Sequence, residues 1–330
     1  MEKRMYGKDE AARIIKSGKS VILAADEAIL ASMPKGNWIG GSIPYFIGED
    51  GGEFTKEKVY VTEIPEFALS NEIKVYTADS ISAIYKDAKN SGFTFVIIPG
   101  FSKTHSEFAI KGPTFENFGH SPLIGWISGF DLKDIGTASA KVVDGRTGTA
   151  YSDGAIAFHV ELPASKVVDL QIVNIFDQGV GDSITFPENG FSATIAVVNG
   201  IEVNFADYVT THKINTQLPL VADMYGALIN TSFQSVDCEK KTVQFYAPVF
   251  KGIEYKIGAP ISDYVADFTS KLPKGIDQKI FFSCNCILNY LYAGLEGKKT
   301  GEATGPITFG EIAYQLLNQT MTYLTIDDAR

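Results

Sequence analysis

Apolar positions along the chain fall into two patterns. "SVILAAD" (Ser20 to Asp26), "FTFVIIPG" (Phe93 to Gly100) and "KIFFSCN" (Lys279 to Asn285) are nearly continuous apolar runs of strand length. Runs without alternation predict strands covered on both faces. Helical spacing predicts elements over Asp9 to Gly18 and Asp79 to Ser91, each stopped by a glycine. It predicts others over 218 to 230, 262 to 272 and 286 to 295. "EIKVYTA" (72 to 78) and "TVQFYAPV" (242 to 249) read as further strands. In "GNWIGGSIPYFIGEDGG" (Gly36 to Gly52) glycines punctuate an apolar segment, so something is expected to pass close to that backbone.

From Pro122 the texture changes to short β-rich runs between turn signals, "DGRTG" at 144 to 148 and "PENG" at 187 to 190 among them. Asn199-Gly200 joins "TIAVV" to "IEVNF", and this dipeptide suits a type I′ hairpin turn because both central residues need positive φ. An antiparallel meander is expected over 123 to 205. Near the two ends, "VILAAD", helix, "GSIPYF" has the same order as "IFFSCN", helix, "GPITFG", with Gly41 opposite Gly305, Ile43 opposite Ile307 and Tyr45 opposite Phe309. A duplicated unit would produce this. The expected fold class is α/β (α+β): two intimately packed subdomains, residues 1–205 and 206–330, with mixed and antiparallel sheets and no long linker between them.

Composition narrows the function. The 330 residues are 45% hydrophobic, enough for a sizeable core, and the net charge of −10 supplies no broad basic field for nucleic acid. No run approaches the roughly 18 apolar residues of a membrane span, and the charged start lacks the apolar core of an export signal. Three cysteines make no disulfide framework. A cytoplasmic protein, with no nucleic-acid and no membrane partner, is the expectation.

"SCNC" is the most chemical stretch. Its spacing is wrong for zinc, and none of the four histidines is marked as a base for a thiolate or as a ligand for a cofactor. A free cysteine here reads first as a small buried hydrophobe. Asn285 offers both donor and acceptor at a strand's carboxyl end. Glu311, in "FGEI", is either a carboxylate on a strand's solvent face or the partner of a ligand ammonium. Ser42 and Tyr45 either cap a turn and fill the core or line a pocket with the Gly40-Gly41 backbone. His159 alternates with apolar residues and reads as structural. Glycine-rich "GDSITF" and "GKKTGEATG" lack the phosphate-loop pattern.

The order of several short motifs resembles the FIST sensory domains, which have an amino-terminal and a carboxy-terminal section. "IGGSIPYFIGE" (Ile39 to Glu49) is similar to the glycine-rich motif of the first section. "IGWISGFDLKD" (Ile124 to Asp134) and the strand ladder after it hold the middle place. "FFSCN" and "FGEI" (Phe309 to Ile312) are similar to the signatures of the second section. The resemblance implies a ligand-binding sensor without catalysis and without a cofactor. Its partners would be a small-molecule metabolite, such as an amino acid or small carboxylate, and a separate signalling protein. The pocket is then expected from Ser42, Tyr45, Cys284, Asn285, Thr308 and Glu311. A thiol-dependent hydrolase or transferase using Cys284 or Cys286, and an interaction protein with no ligand, are the alternatives.

Overall fold

In the computed structural model, which describes residues 4–224, 226–272, 279–301 and 303–329, the long apolar runs are interior strands. Val21–Ala25 lies between Lys58–Glu63 and Trp38–Ser42. Ile280–Cys286 lies between Met321–Asp328 and Gly305–Thr308 in a second sheet, and Gly92–Pro99 between Leu123–Ser128 and Ala155–Glu161 in a third. Each run is apolar throughout because its two faces meet different layers. Ile22 and Ala24 enter the central core, while Val21, Leu23 and Ala25 share an outer cluster with Ile15 and Leu30 of the Lys8–Lys16 and Glu27–Ala31 helices.

The first two sheets both pack on the inner face of the third, so the layers run helix, sheet, sheet, helix. Phe282 marks the contact, with its ring 4.7 Å from Phe95 and stacked at 5.5 Å on Trp126. On the far side of the third sheet, Val96, Ile98 and Ile127 pack with Phe108 of the Lys103–Lys111 helix.

Each of the three central strands is followed by a short helix and a parallel return strand. The terminal copies match in geometry one residue away from their direct sequence match. Asp26 and Cys286 occupy the N-cap positions of the two helices. Gly40 pairs with Leu23, and a Cβ on Gly305 would fall 1.9 Å from the Ser283 carbonyl, so the counterpart of Gly305 is Gly40 rather than Gly41. A shift of one residue exchanges the faces of a strand. Because the same order also occurs between residues 92 and 128, the recurrence is one of topology, and strand–helix–strand is the common unit of such folds. The close approach expected at the glycine-rich segment is made by the chain itself. A Cβ on Gly52 would lie 2.2 Å from the Leu295 carbonyl.

Residues 184 to 257 build a separate β-body on this sandwich. Its larger sheet joins Ile184–Thr185, Ile195–Val198, Ile201–Asn204, Leu220–Met224, Ala227–Thr231 and Tyr255–Ile257, and its core is built on Phe186, Phe205, Phe245 and Tyr255. Position 205 therefore falls inside one body, with strands of the same sheet on either side. The 199–200 hairpin is as expected, with φ of 50° at Asn199 and 83° at Gly200. Three other expectations are corrected. Residues 218 to 230 form a hairpin, not a helix, because Leu220–Met224 is recruited by Tyr255–Ile257; position 225 lies outside the described residues. The 79 to 91 stretch is irregular apart from the Ile81–Ala83 turn, held down by Ile81, Ile84 and a bond from the Tyr85 phenol to the Tyr314 carbonyl. The 123 to 205 meander is divided among several sheets, and Leu123–Ser128 is an interior strand parallel to Gly92–Pro99.

Candidate functional site

The carboxyl ends of Ile280–Cys286 and Gly305–Thr308 meet the hairpin that carries Glu311, and a buried polar network forms there. The Asn285 side-chain oxygen accepts from the Cys286 N–H at 2.8 Å and from Asn289 Nδ2 at 2.9 Å. Asn289 Nδ2 also donates to the Thr320 carbonyl at 3.2 Å. Thr320 in turn gives its hydroxyl to Glu311 Oε2 at 2.7 Å and its N–H to the same oxygen at 3.3 Å. The Tyr264 phenol faces Asn285 and Asn289 outside hydrogen-bonding geometry.

Glu311 is fully buried, 0% exposed, which corrects the solvent-face expectation. Burial is the dominant influence and pushes its carboxyl up to about 8, with the Thr320 bonds pulling the other way. The carboxyl is thus mostly neutral at pH 7. Burial also pushes the Cys284 and Cys286 thiols well up, and the neighbouring Glu311 adds to this. Cys284 Sγ rests against the Gly125 carbonyl at 3.5 Å and the Thr322 hydroxyl at 3.3 Å.

The six expected pocket residues do not share one pocket. Cys284, Asn285, Thr308 and Glu311 come together in and around the network, and Thr308 spends its hydroxyl on the carbonyls of Gly310 (3.0 Å) and Asn285 (3.4 Å). Ser42 lies elsewhere. It lines a cleft of about 400 Å³ with Lys56 and Asp131, and its hydroxyl is used twice, donating to the Gly129 carbonyl at 2.7 Å and accepting from the Lys141 N–H at 2.8 Å. Tyr45 reaches toward the same loop, donating to Asp131 at 3.4 Å and accepting from the Leu132 N–H at 3.1 Å. Burial opposes ionisation of Asp131, but the Lys56 ammonium at 2.9 Å holds its carboxyl below the usual range. His159 is structural, as expected, with Tyr76 at 2.6 Å and Thr94 at 2.9 Å on its two nitrogens.

Two residues that the sequence reading did not single out connect the network to the surface. Tyr264 and Asn289 line a cleft of about 530 Å³, with Gln319 beside them and the oppositely charged Asp263 and Lys298 also on its wall. Asn289 had a signal, because it stands in the first turn of the helix that directly follows the Asn285 strand. Tyr264, the first residue of a distant helix, had none. Among the described residues, four buried polar atoms here fall outside good hydrogen-bonding geometry: Tyr264 Oη, which faces the two asparagines, Asn285 Nδ2, Asn289 Oδ1, and Glu311 Oε1, on a carboxyl beside Cys286 and Thr308. Buried polar atoms in folded proteins are nearly always well paired, so four in one network set this place apart from the rest of the interior.

Among the described residues, no group of histidine, cysteine or carboxylate side chains could hold a metal ion, and no helix is long and apolar enough to cross a membrane. Among curated proteins, none matches this sequence. A protein-family model matches residues 6–327, nearly the whole chain, and the chain therefore belongs to that family, DUF6976, a family of unknown function.

Proposed function

We propose that this protein binds a small polar metabolite of the amino-acid class in the cleft bordered by Tyr264 and Asn289, and that binding rather than catalysis is its role. The observation that carries this reading is the set of four poorly paired buried polar atoms at and behind the cleft wall. Leaving such an atom unpaired costs about 1–3 kcal/mol, and a ligand bearing both donors and acceptors relieves it. The Tyr264 hydroxyl is a donor suited to a carboxylate, and Asn289 Oδ1 is an acceptor suited to an ammonium, while Asn285 stands behind them, off the cleft lining. Lys298 and Asp263 supply opposite charges on the same wall. Glu311, neutral below about pH 8, adds a hydrogen-bonding group but little charge. The motif order resembling FIST sensory sections supports the same class of ligand, with the bound state reported to a separate signalling protein. Neither thiol lines the cleft, and both are pushed away from the thiolate, so this reading makes no use of them.

A melting screen against the common amino acids, with their deaminated and decarboxylated analogues, tests it. A ligand at about 100 times its Kd adds about 2.7 kcal/mol. With an unfolding entropy of about 2.1 cal/mol/K per residue over 330 residues, the midpoint rises by roughly 4 °C. We expect an amino acid to raise the midpoint more than either analogue, and Asn289→Ala and Tyr264→Phe each to abolish the response. If both variants respond like the parent, the ligand sits elsewhere; if no compound shifts the parent, the ligand class is wrong.

A further inference from the structure

A further cavity, of about 290 Å³, lies where the β-body meets the sandwich, and it shares no lining residue with the polar cleft. Ile287, Leu288 and Phe309 wall it from the sandwich, and Phe191 and Phe245 from the β-body. Among the described residues, no charged side chain lines it, and Ser106, Gln234 and Tyr246 add polar groups to an otherwise apolar wall. One of its lining residues carries an unmatched buried polar atom. His105 is only 7% exposed, and its Nε2 has no hydrogen-bond partner.

The other ring nitrogen decides what Nε2 can do. The Phe101 N–H donates to His105 Nδ1 at 3.3 Å. A ring nitrogen that accepts carries no proton in neutral imidazole, so the proton sits on Nε2. Phe101 adopts a left-handed backbone conformation, φ 64°, which is costly for a bulky residue and is kept only where the surroundings enforce it. In that conformation its N–H meets the imidazole while its ring packs on Phe130 and Phe309, although the residue as a whole is 61% exposed. Phe191 of the opposite body meets the imidazole in a T-shaped contact, with ring centroids 5.6 Å apart. Burial lowers the His105 pKa to about 4, so the ring is neutral at pH 7.

We infer that this cavity is a second binding site, for a compact uncharged apolar molecule, aromatic or branched, that carries a single hydrogen-bond acceptor received by His105 Nε2–H. The size follows from the volume. An apolar cavity of about 150 Å³ holds benzene, so this one takes roughly a dozen non-hydrogen atoms. The lack of charge follows from the lining, since an ion there would be desolvated without a counter-ion. The position, between two bodies, is where such pockets are commonly found.

A matched pair of probes tests the inference: propiophenone, which carries a carbonyl acceptor, and propylbenzene, which does not. Both are titrated into the full chain by calorimetry. We expect propiophenone to bind about tenfold more tightly, the worth of a neutral buried hydrogen bond. His105→Phe should erase that preference while leaving the amino-acid response of the polar cleft unchanged. Leu291→Trp, at a half-exposed position on the cavity lining, keeps the histidine and should weaken both probes together. Equal binding of the two probes to the parent, or no binding of either, overturns the proposal. So does Leu291→Trp leaving both affinities unchanged.

Discussion

Glu311 is the residue whose setting departs most from its type. A buried carboxyl with no cation beside it among the described residues, one oxygen held by Thr320 and the group otherwise facing Cys286 and Thr308, keeps its proton far above the ordinary range near 4.3. The sign of the consequence is fixed by linkage. Between about pH 4.3 and about pH 8 the folded protein holds a proton that the unfolded chain has released. The contribution to stability is therefore complete below that window and is lost as pH rises through it. We expect the parent to lose on the order of a few kcal/mol between pH 5 and pH 9 beyond what Glu311→Gln loses, with the variant the more stable at pH 9. Urea unfolding of both proteins at a series of pH values measures this. Parallel profiles would mean that the carboxyl ionises normally.

At the scale of elements, the two terminal apolar strands are the most consequential. Leu23 and Phe282 are fully buried, Leu23 under the outer helices and Phe282 between Phe95 and Trp126. Leu23→Ala should cost about 2–5 kcal/mol and Phe282→Ala about 3–5 kcal/mol, read from denaturant midpoints at constant slope. A loss below about 1 kcal/mol at either would place that strand at the periphery. The helix expected over 218 to 230 shows the limit of periodicity. Its apolar residues fit a helical stripe about as well as a buried strand, and the choice was made by Tyr255–Ile257, which offers a free edge to Leu220–Met224. The Ile201–Asn204 strand needed no such help, because Asn199-Gly200 prefers a hairpin by its own backbone energetics.

At the scale of the molecule, the β-body has its own core, and its seam with the sandwich is partly apolar, Val221 packing with Phe268 and Met321, Ile229 with Ala313 and Leu317, and Ala247 with Ile312, and partly polar. Asn230 belongs to the polar part, donating to the Asn318 and Gln319 carbonyls at 3.2 and 3.3 Å. Separate cores favour separate opening. We expect native-state hydrogen exchange to show amides of Ile195–Val198, Leu220–Met224 and Tyr255 opening together, at lower denaturant than those of Val21–Ala25 and Ile280–Cys286. Coincident opening of both sets would make the chain one cooperative unit. The seam bears on function too, since the apolar cavity takes walls from both bodies and would lose its shape if they parted.

The chain's own pattern determined which segments are buried strands, where Gly18 ends a helix, and where the 199–200 hairpin turns, because these depend on a few neighbouring residues. That Asn285 and Glu311 belong to one neighbourhood was also legible, from the strand–helix–strand order around them. What covers each strand was not, since an uninterrupted apolar run says that both faces are dry without saying by what. Glu311 between Gly310 and Ile312 reads the same whether it faces water or Thr320. Tyr264 stands 21 positions before Asn285 in the chain, and only the packing of the Tyr264–Lys271 helix against the sheet of Ile280–Cys286 sets its phenol beside the asparagines. Ser42, singled out for its glycine-rich setting, is instead consumed by the Gly129 and Lys141 backbone. Long-range pairing decided these matters, because a polar side chain's role depends on the partners that distant strands bring to it.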